Sequence, residues 1–416
     1  MRILWIVNTI FPYPTEKLKL SKTNFGGWLN GLTYELIKNE NINLAIATVY
    51  KGKKIVEFND GKVIYYLIPG APAIKYDKKL EEYWKEINNR FCPDLVHIHG
   101  TEFAHGLAYR NACPNDKIVT SIQGLVSAIA NVYYSNISYW DIYINITFRD
   151  IIRHDNIFNQ KRKFEQRGKN EIELIKKSDA IIGRTSWDYA NCKAIDPNLK
   201  YYFLNETLRK SFYYKIWNIE NIERHTIFCS QAGYPIKGLH YLLKAIYILK
   251  KEYPDIKLYI AGPNIIDKSS IVKKIKLSGY AKYIISLIKK YDICDQVIFT
   301  GTLNEKQMIE KLLKSHVFVS PSAIENSSNS LCEAMLIGMP CVASNVGGTS
   351  DMLKNKEEGF LYPYTESAML AEYISKFFDN DELCIRFGMN AQKKAKERHD
   401  KEKNVKGLIE IYNHLL

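Results

Sequence analysis

Short apolar runs alternate along the chain with longer segments whose apolar positions recur every three or four residues, which predicts strands and amphipathic helices in turn. The first run, residues 3–7, reads as a buried strand. A loop carrying Gly26-Gly27 follows, then a helix over 29–38 with Leu29, Leu32, Leu36 and Ile37 on one face. Further strands are predicted at 44–49, 63–67, 95–98, 118–122, 180–183 and 201–204. The pattern restarts at 226–230, a strand entering the loop Gly233-Tyr234-Pro235-Ile236-Lys237-Gly238 and a helix over 239–251. Strands at 258–261, 297–300, 317–319 and 341–344 complete this second series.

Such alternation argues for α/β architecture with parallel sheets. We expect two Rossmann-like, doubly wound domains, 1–205 and 226–395, joined by a linker at 206–225. The stretch 396–416 is expected to be a C-terminal helix that packs back on the N-terminal domain. A ligand would bind in a cleft where the C-terminal ends of the two sheets face each other.

The segment 125–177 breaks the rhythm. It gathers Tyr133, Tyr134, Tyr139, Trp140, Tyr143 and Phe148 before a basic stretch from Arg149 to Lys169 that includes Lys161-Arg162-Lys163. An aromatic face beside basic residues suits an anionic membrane surface or an anionic lipid-linked substrate. Buried aromatics with a solvated charged face would give the same letters.

Composition narrows the classes. Of 416 residues, 46% are hydrophobic and 25% charged, which excludes a disordered, collagen-like or disulfide-scaffold protein. The net charge of +13 favours anionic partners, without choosing among nucleic acid, membrane and phosphorylated small molecules. Nucleic acid is disfavoured, because basic residues are interleaved with acidic ones, as over 393–406, and no recognition motif appears. Eight scattered cysteines without a CxxC pair read as reduced, structural thiols of a cytoplasmic protein. The N-terminal apolar run is too short for a signal-peptide core, and no run is long enough to span a membrane. No GxGxxG follows either opening strand, which excludes a dinucleotide oxidoreductase.

The most informative stretch begins at Val317 and runs through Pro321-Ser322, Glu325 and Asn329-Ser330-Leu331 to Glu333-Ala334-Met335. A strand ends, a small polar loop follows, and a helix opens near Asn329 or Ser330. Backbone N–H groups at such a helix start suit phosphate oxygens, and the two carboxylates suit sugar hydroxyls. Glu333 could instead close a capping box with Ser330, and Glu325 could be a solvated loop carboxylate.

Together with Gly338-Met339-Pro340, the strand at 341–344 and Gly347-Gly348, this run resembles the hallmark of the retaining glycosyltransferases of family 4, which have the GT-B fold. Gly26-Gly27, Lys237-Gly238 and Gly301 extend the resemblance over nearly the whole chain. It implies that Glu325 faces the transferred sugar and Glu333 binds the ribose hydroxyls. The N–H groups of Asn329, Ser330 and Leu331 would hold the distal phosphate. Lys237 would sit on the diphosphate, with Gly26 and Gly27 approaching it closely. A nucleotide-sugar donor, a polyprenyl-diphosphate-linked glycan acceptor and a surface-polysaccharide pathway are implied, with no metal or other cofactor needed for chemistry.

The chain departs from the family in three places. The Arg usual before the Lys is missing from 230–237, and Arg184, after the strand at 180–183, is the candidate substitute. Asn326 and Ser328 replace family glycines. Gln123 stands where many relatives have His, leaving His99, Glu102, His105 and Gln123 as acceptor-side candidates. Loss of activity on the same fold would leave a non-catalytic nucleotide or glycan binder.

Overall fold

The computed structural model describes residues 1–20, 27–71 and 75–416. Gly26 lies outside the described residues. The chain forms two compact units: Met1–Ala130 with Lys163–Arg209 and His399–Leu416, and Asn131–Arg162 with Lys210–Arg398.

The first unit is built on strands β1 (Arg2–Val7), β2 (Asn43–Tyr50), β3 (Val56–Asn59), β4 (Val63–Pro69), β5 (Leu95–His99), β6 (Ile118–Ser121), β7 (Ala180–Gly183) and β8 (Tyr201–Phe203). Their order is β3-β4-β2-β1-β5-β6-β7-β8, parallel except for the β3–β4 pair. A parallel sheet is covered on both faces, which is why β1 is apolar throughout. Ile3, Trp5 and Val7 pack with Leu29, Leu32 and Leu36, while Leu4 and Ile6 pack with Trp84, Ile87 and Tyr109 on the other face.

Val405, Leu408, Ile411 and Tyr412 of the last helix, Lys401–Leu415, join the first of these clusters. Each large side chain fully buried there stabilises the unit by on the order of 2 kcal/mol. Asp400 caps this helix by accepting from the Lys403 N–H at 2.9 Å, which separates it from the preceding helix Asp381–Arg398. The hydroxyl of Tyr412 accepts from Trp5 Nε1 at 2.9 Å and lies 2.6 Å from His97 Nδ1.

The second unit contains β9 (Glu223–Cys229), β10 (Lys257–Ala261), β11 (Val297–Gly301), β12 (Ser315–Ser320), β13 (Cys341–Ser344) and β14 (Phe360–Tyr362). All neighbours in the order β11-β10-β9-β12-β13-β14 are parallel. Chain order reverses direction between β1 and β5 in the first sheet and between β9 and β12 in the second. Loops leaving adjacent strands at such a point diverge and open a crevice.

Three features differ from the sequence reading. The short strands β3 and β14 are added at sheet edges, where periodicity is weakest. The linker expected at 206–225 contains two 3-10 turns and the start of β9. The N-terminal unit is not contiguous either: Asn131–Arg162 belongs with the second unit. Long-range bonds hold it there, including Thr147 Oγ1 to Leu277 O at 2.9 Å and Gly279 N to Asp150 Oδ2 at 2.7 Å. All eight cysteines are free. Among the described residues no helix is long and apolar enough to cross a membrane.

Candidate functional site

In the second unit, β9 and β12 are neighbours although they lie far apart in sequence, so the loops that leave them are forced together. The β9 loop passes through a 3-10 turn, Pro235–Lys237, and turns at Gly238 into the helix Leu239–Leu249. The β12 loop runs from Pro321 to Ser328, which caps the helix Asn329–Leu336. Ala323 N donates to Ile236 O at 2.8 Å, pinning one loop to the other. Gly238 has φ +70°, and a Cβ there would lie 1.7 Å from Pro321 O. Only glycine permits this crossing.

The crossing brings Lys237 onto Glu325. Its Nζ donates to Glu325 Oε1 at 2.5 Å, and Ser322 Oγ donates to the same oxygen at 2.6 Å. Burial acts to lower the Lys237 ammonium, but the opposing contributions, led by the Glu325 charge, outweigh it and hold the net shift upward. The side chains of Lys237 and Glu325 retain 20% and 15% exposure, so a ligand can reach the pair. Glu325 is held from behind as well: its carbonyl accepts from Gly348 N at 3.0 Å.

Gly347, with φ +53°, lies so close that a Cβ would sit 2.0 Å from Glu325 O. Left-handed backbone and a backbone collision together are expected to cost Gly347→Ala roughly 2–4 kcal/mol of stability. Displacing Glu325 should lower turnover more than tenfold, on the scale of a misplaced reacting group. Thermal melting and steady-state kinetics check this, and an alanine variant with normal melting and normal turnover would refute the packing account.

The helix opens at Asn329, as expected, and the alternative capping box of Ser330 with Glu333 does not form. The cap is Ser328, whose Oγ accepts from Leu331 N at 3.5 Å, so Glu333 lies inside the helix and Ser330 does not cap it. Of the three N–H groups expected to hold phosphate, that of Leu331 is engaged by this cap. Asn329 and Ser330 occupy the first helical positions, where N–H groups lack partners within the helix. Asn329 Oδ1 is buried with no hydrogen-bond partner among the described residues. Glu333 is buried.

In the first unit, the switch between β1 and β5 gathers a second polar cluster. Asn8 Nδ2 donates to Glu102 Oε2 at 2.8 Å, and Gln123 Nε2 lies 3.4 Å from His99 O. A Cβ on Gly100, at φ +100°, would fall 2.3 Å from Glu102 Oε2, 2.7 Å from Asn8 Nδ2 and 3.3 Å from Gln123 Cδ. Burial raises the Glu102 carboxyl, against its own backbone N–H, Arg167 and Asn8.

His97, His99 and His105 are buried. His99 is buried and stacked on His97 with ring centroids 3.7 Å apart, against Trp5 and Trp28. Both its ring nitrogens lack hydrogen-bond partners among the described residues, and burial, with His97 and Arg184 adding to it, holds its pKa well below the usual range. His97 is pushed down to about 3 by burial and Arg184, and its Nε2 lies 2.6 Å from Ser121 Oγ. His105 opens the helix His105–Ala112 with Nε2 3.2 Å from Val7 O, and burial lowers it to about 4. All three rings are therefore neutral near pH 7.

Two donor-side candidates, Arg184 and Gly27, lie in the first unit. Arg184 is buried and forms an ion pair with Glu206. Gly27 opens the helix Gly27–Leu36, and the space a Cβ would need is bounded by Arg209, whose Cδ would be 3.2 Å away. The sequence reading also missed Asn8, the Ser322 hydroxyl and Glu171. Glu171 accepts from Thr101 Oγ1, Val126 N, Ser127 N and Ser127 Oγ at 2.6–3.0 Å and so fixes the turn beyond β6. Burial pushes its carboxyl up to about 7 despite those donors. A lone Glu in a polar helix gives no sequence sign of such a role.

Comparison with known proteins puts the Lys237–Glu325 cluster inside a recognised region. The family described as glycosyl transferases group 1 matches residues 216–394. YtcC of Bacillus subtilis (strain 168), whose name assigns it provisionally to the glycosyltransferases, is 23% identical over 340 residues, 78% of this chain and 73% of YtcC. The capsular polysaccharide biosynthesis glycosyltransferase CapM of Staphylococcus aureus is 26% identical over 184 residues, 43% of each chain. This chain therefore spans less than half of CapM. Among solved structures, sucrose-phosphate synthase from Thermosynechococcus elongatus superposes with a TM-score of 0.73 at 14% identity, over 100% of this chain and 99% of that one. That likeness is one of fold, the GT-B class.

Proposed function

We propose, from the match of residues 216–394 to the glycosyl transferases group 1 family, that the chain transfers a sugar, with retention of configuration, from a nucleotide-sugar donor to a hydroxyl of a glycan acceptor. The observation that carries the reading is Lys237 bonded to Glu325 beside the start of the helix Asn329–Leu336. Departure of a nucleoside diphosphate concentrates negative charge on its distal phosphate. Lys237 and the N–H groups of Asn329 and Ser330 supply positive charge and donors fixed in advance by the backbone. Glu325, on its two donors, is placed to accept from the transferred sugar's hydroxyls, and Glu333 from the ribose.

In this reading the bond from the anomeric carbon to the phosphate oxygen breaks while the acceptor oxygen bonds the same face. The acceptor proton passes to the departing phosphate oxygen. The charge stabilisation comes from the chain itself, so transfer is expected to proceed in EDTA. The Asn8–Glu102–Gln123 cluster is the acceptor-side candidate in the first unit. We assign the acceptor to lipid-linked intermediates of surface polysaccharide in the cytoplasm, a reading supported by the similarity to CapM and by eight free cysteines.

The test needs no acceptor. Common nucleotide sugars are offered in turn, and slow donor hydrolysis is followed by proton NMR. The initially released sugar should keep the donor's anomeric configuration in the presence of EDTA. Initial release of the opposite anomer would overturn retention, and no release from any donor would favour a binder without turnover.

A further inference from the structure

The helices of the excursion Asn131–Arg162 are inside out. Phe148–Arg153 buries its carboxylate, Asp150, and exposes Phe148 (71%), Ile151 and Ile152. Thr147 and Asp150 form a capping box, and Asp150 also receives Gly279 N at 2.7 Å, so this orientation is locked by specific bonds. Tyr139–Ile144, capped by Ser138, buries Ile142 and exposes Tyr139, Trp140 (68%) and Tyr143. A solvated helix would turn these faces the other way.

A third short helix, Ile271–Ile275, exposes Ile271, Val272 and Ile275. Thr147 Oγ1 bonds Leu277 O at 2.9 Å and Lys282 Nζ bonds Ile144 O at 2.8 Å, so the three helices adjoin within the second unit. Exposed aromatic and aliphatic side chains on three helices joined in this way are more than the single exposed apolar residues scattered over an ordinary surface. The charge of this three-helix surface is mainly basic, with Asp141, bonded to the Ser138 hydroxyl, the acidic side chain of these helices that has no cation partner among the described residues. Arg149 is neutralised by Asp150 and Asp155, and Lys273 by Asp267. Arg153, Lys268, Lys274 and Lys276 are exposed and have no acidic partner among the described residues.

We propose that this surface docks the chain on an anionic phospholipid bilayer, the aromatic side chains entering the headgroup boundary and the unpaired cations facing acidic headgroups. Trp and Tyr favour that depth, and lysines near it gain from the negative surface potential. A second copy of the chain is a poorer occupant, because it would bring the same cations face to face. The basic contribution argued here comes from 268–276 and Arg153; of Lys161-Arg162-Lys163, Lys161 lies over the ring of Tyr134 at 5.7 Å and Arg162 is exposed. The proposal goes beyond the transferase reading and does not depend on it.

Co-sedimentation of the full chain without nucleotide tests it, using phosphatidylcholine vesicles and vesicles of equal parts phosphatidylcholine and phosphatidylglycerol. Binding should be confined to the anionic vesicles. Lys274→Gln with Lys276→Gln should weaken it roughly thirtyfold, and Phe148→Ser with Ile152→Ser should abolish it, with melting temperatures unchanged. Brominated lipid should quench tryptophan fluorescence in wild type and markedly less in Trp140→Phe. Absence of binding to anionic vesicles, or binding that ignores both pairs of substitutions, overturns the proposal. Self-association lost in Phe148→Ser, without vesicle binding, would make the surface an interface between copies.

Discussion

Glu325→Gln is expected to lower kcat by about a hundredfold to a thousandfold while changing donor KM only a few-fold. Glutamine preserves the shape of the side chain and can still accept from Lys237 Nζ and Ser322 Oγ, which both donate to Oε1. What disappears is the negative charge, whose stabilising effect grows as the anomeric carbon becomes positive in an oxocarbenium-like transition state. The Glu325 backbone is pinned by Gly348 N and crowded by Gly347, so the variant should keep its loop and its melting temperature. A kcat within a few-fold of wild type would remove Glu325 from the chemistry and leave it a positioning group for Lys237.

Lys237→Met acts on the other end of the same pair. Its first consequence is a carboxylate left with Ser322 and no counter-charge in a mostly buried site, a configuration that costs more than the ion pair itself is worth. Its second is the loss of the cation assigned to the diphosphate. Truncating a hydrogen-bonded charge of this kind commonly costs 2–5 kcal/mol, so nucleoside diphosphate binding should weaken by about thirtyfold or more. Adding Glu325→Gln removes the stranded charge and should restore stability without restoring affinity. If the double variant recovered both, Lys237 would be a partner of Glu325 and nothing more.

The strand-end positions of Lys237 and Glu325 were legible because apolar runs ending in small polar loops are local patterns, and their roles came from the family resemblance. That the two side chains touch was not legible, since it depends on β9 lying beside β12. The same limit hid the contact between Gly347 and Glu325 and the pairing of Arg184 with Glu206, which turns a strand-end cation into an internal ion pair. Ser327, Ser328 and Ser330 are each chemically able to cap a helix, so sequence could not choose among them, and Ser328 does. Strand alternation correctly put His97 and His99 on one face. It could not say that Trp5 and Trp28 would enclose His99. The excursion was visible as a break in rhythm, but its attachment through Leu277 and Gly279 was not, because those partners lie more than a hundred residues away.

The central claim is that the Lys237–Glu325 site receives a nucleoside diphosphate. It is tested most directly by thermal stabilisation with UDP, GDP, ADP, dTDP and CMP in EDTA, on wild type and Lys237→Met. A nucleotide at a hundred times its dissociation constant should stabilise wild type by about 2.7 kcal/mol. The account predicts that one diphosphate raises the melting temperature of wild type and that Lys237→Met loses most of the shift. Silence across the panel, or an equal shift in both proteins, would contradict it.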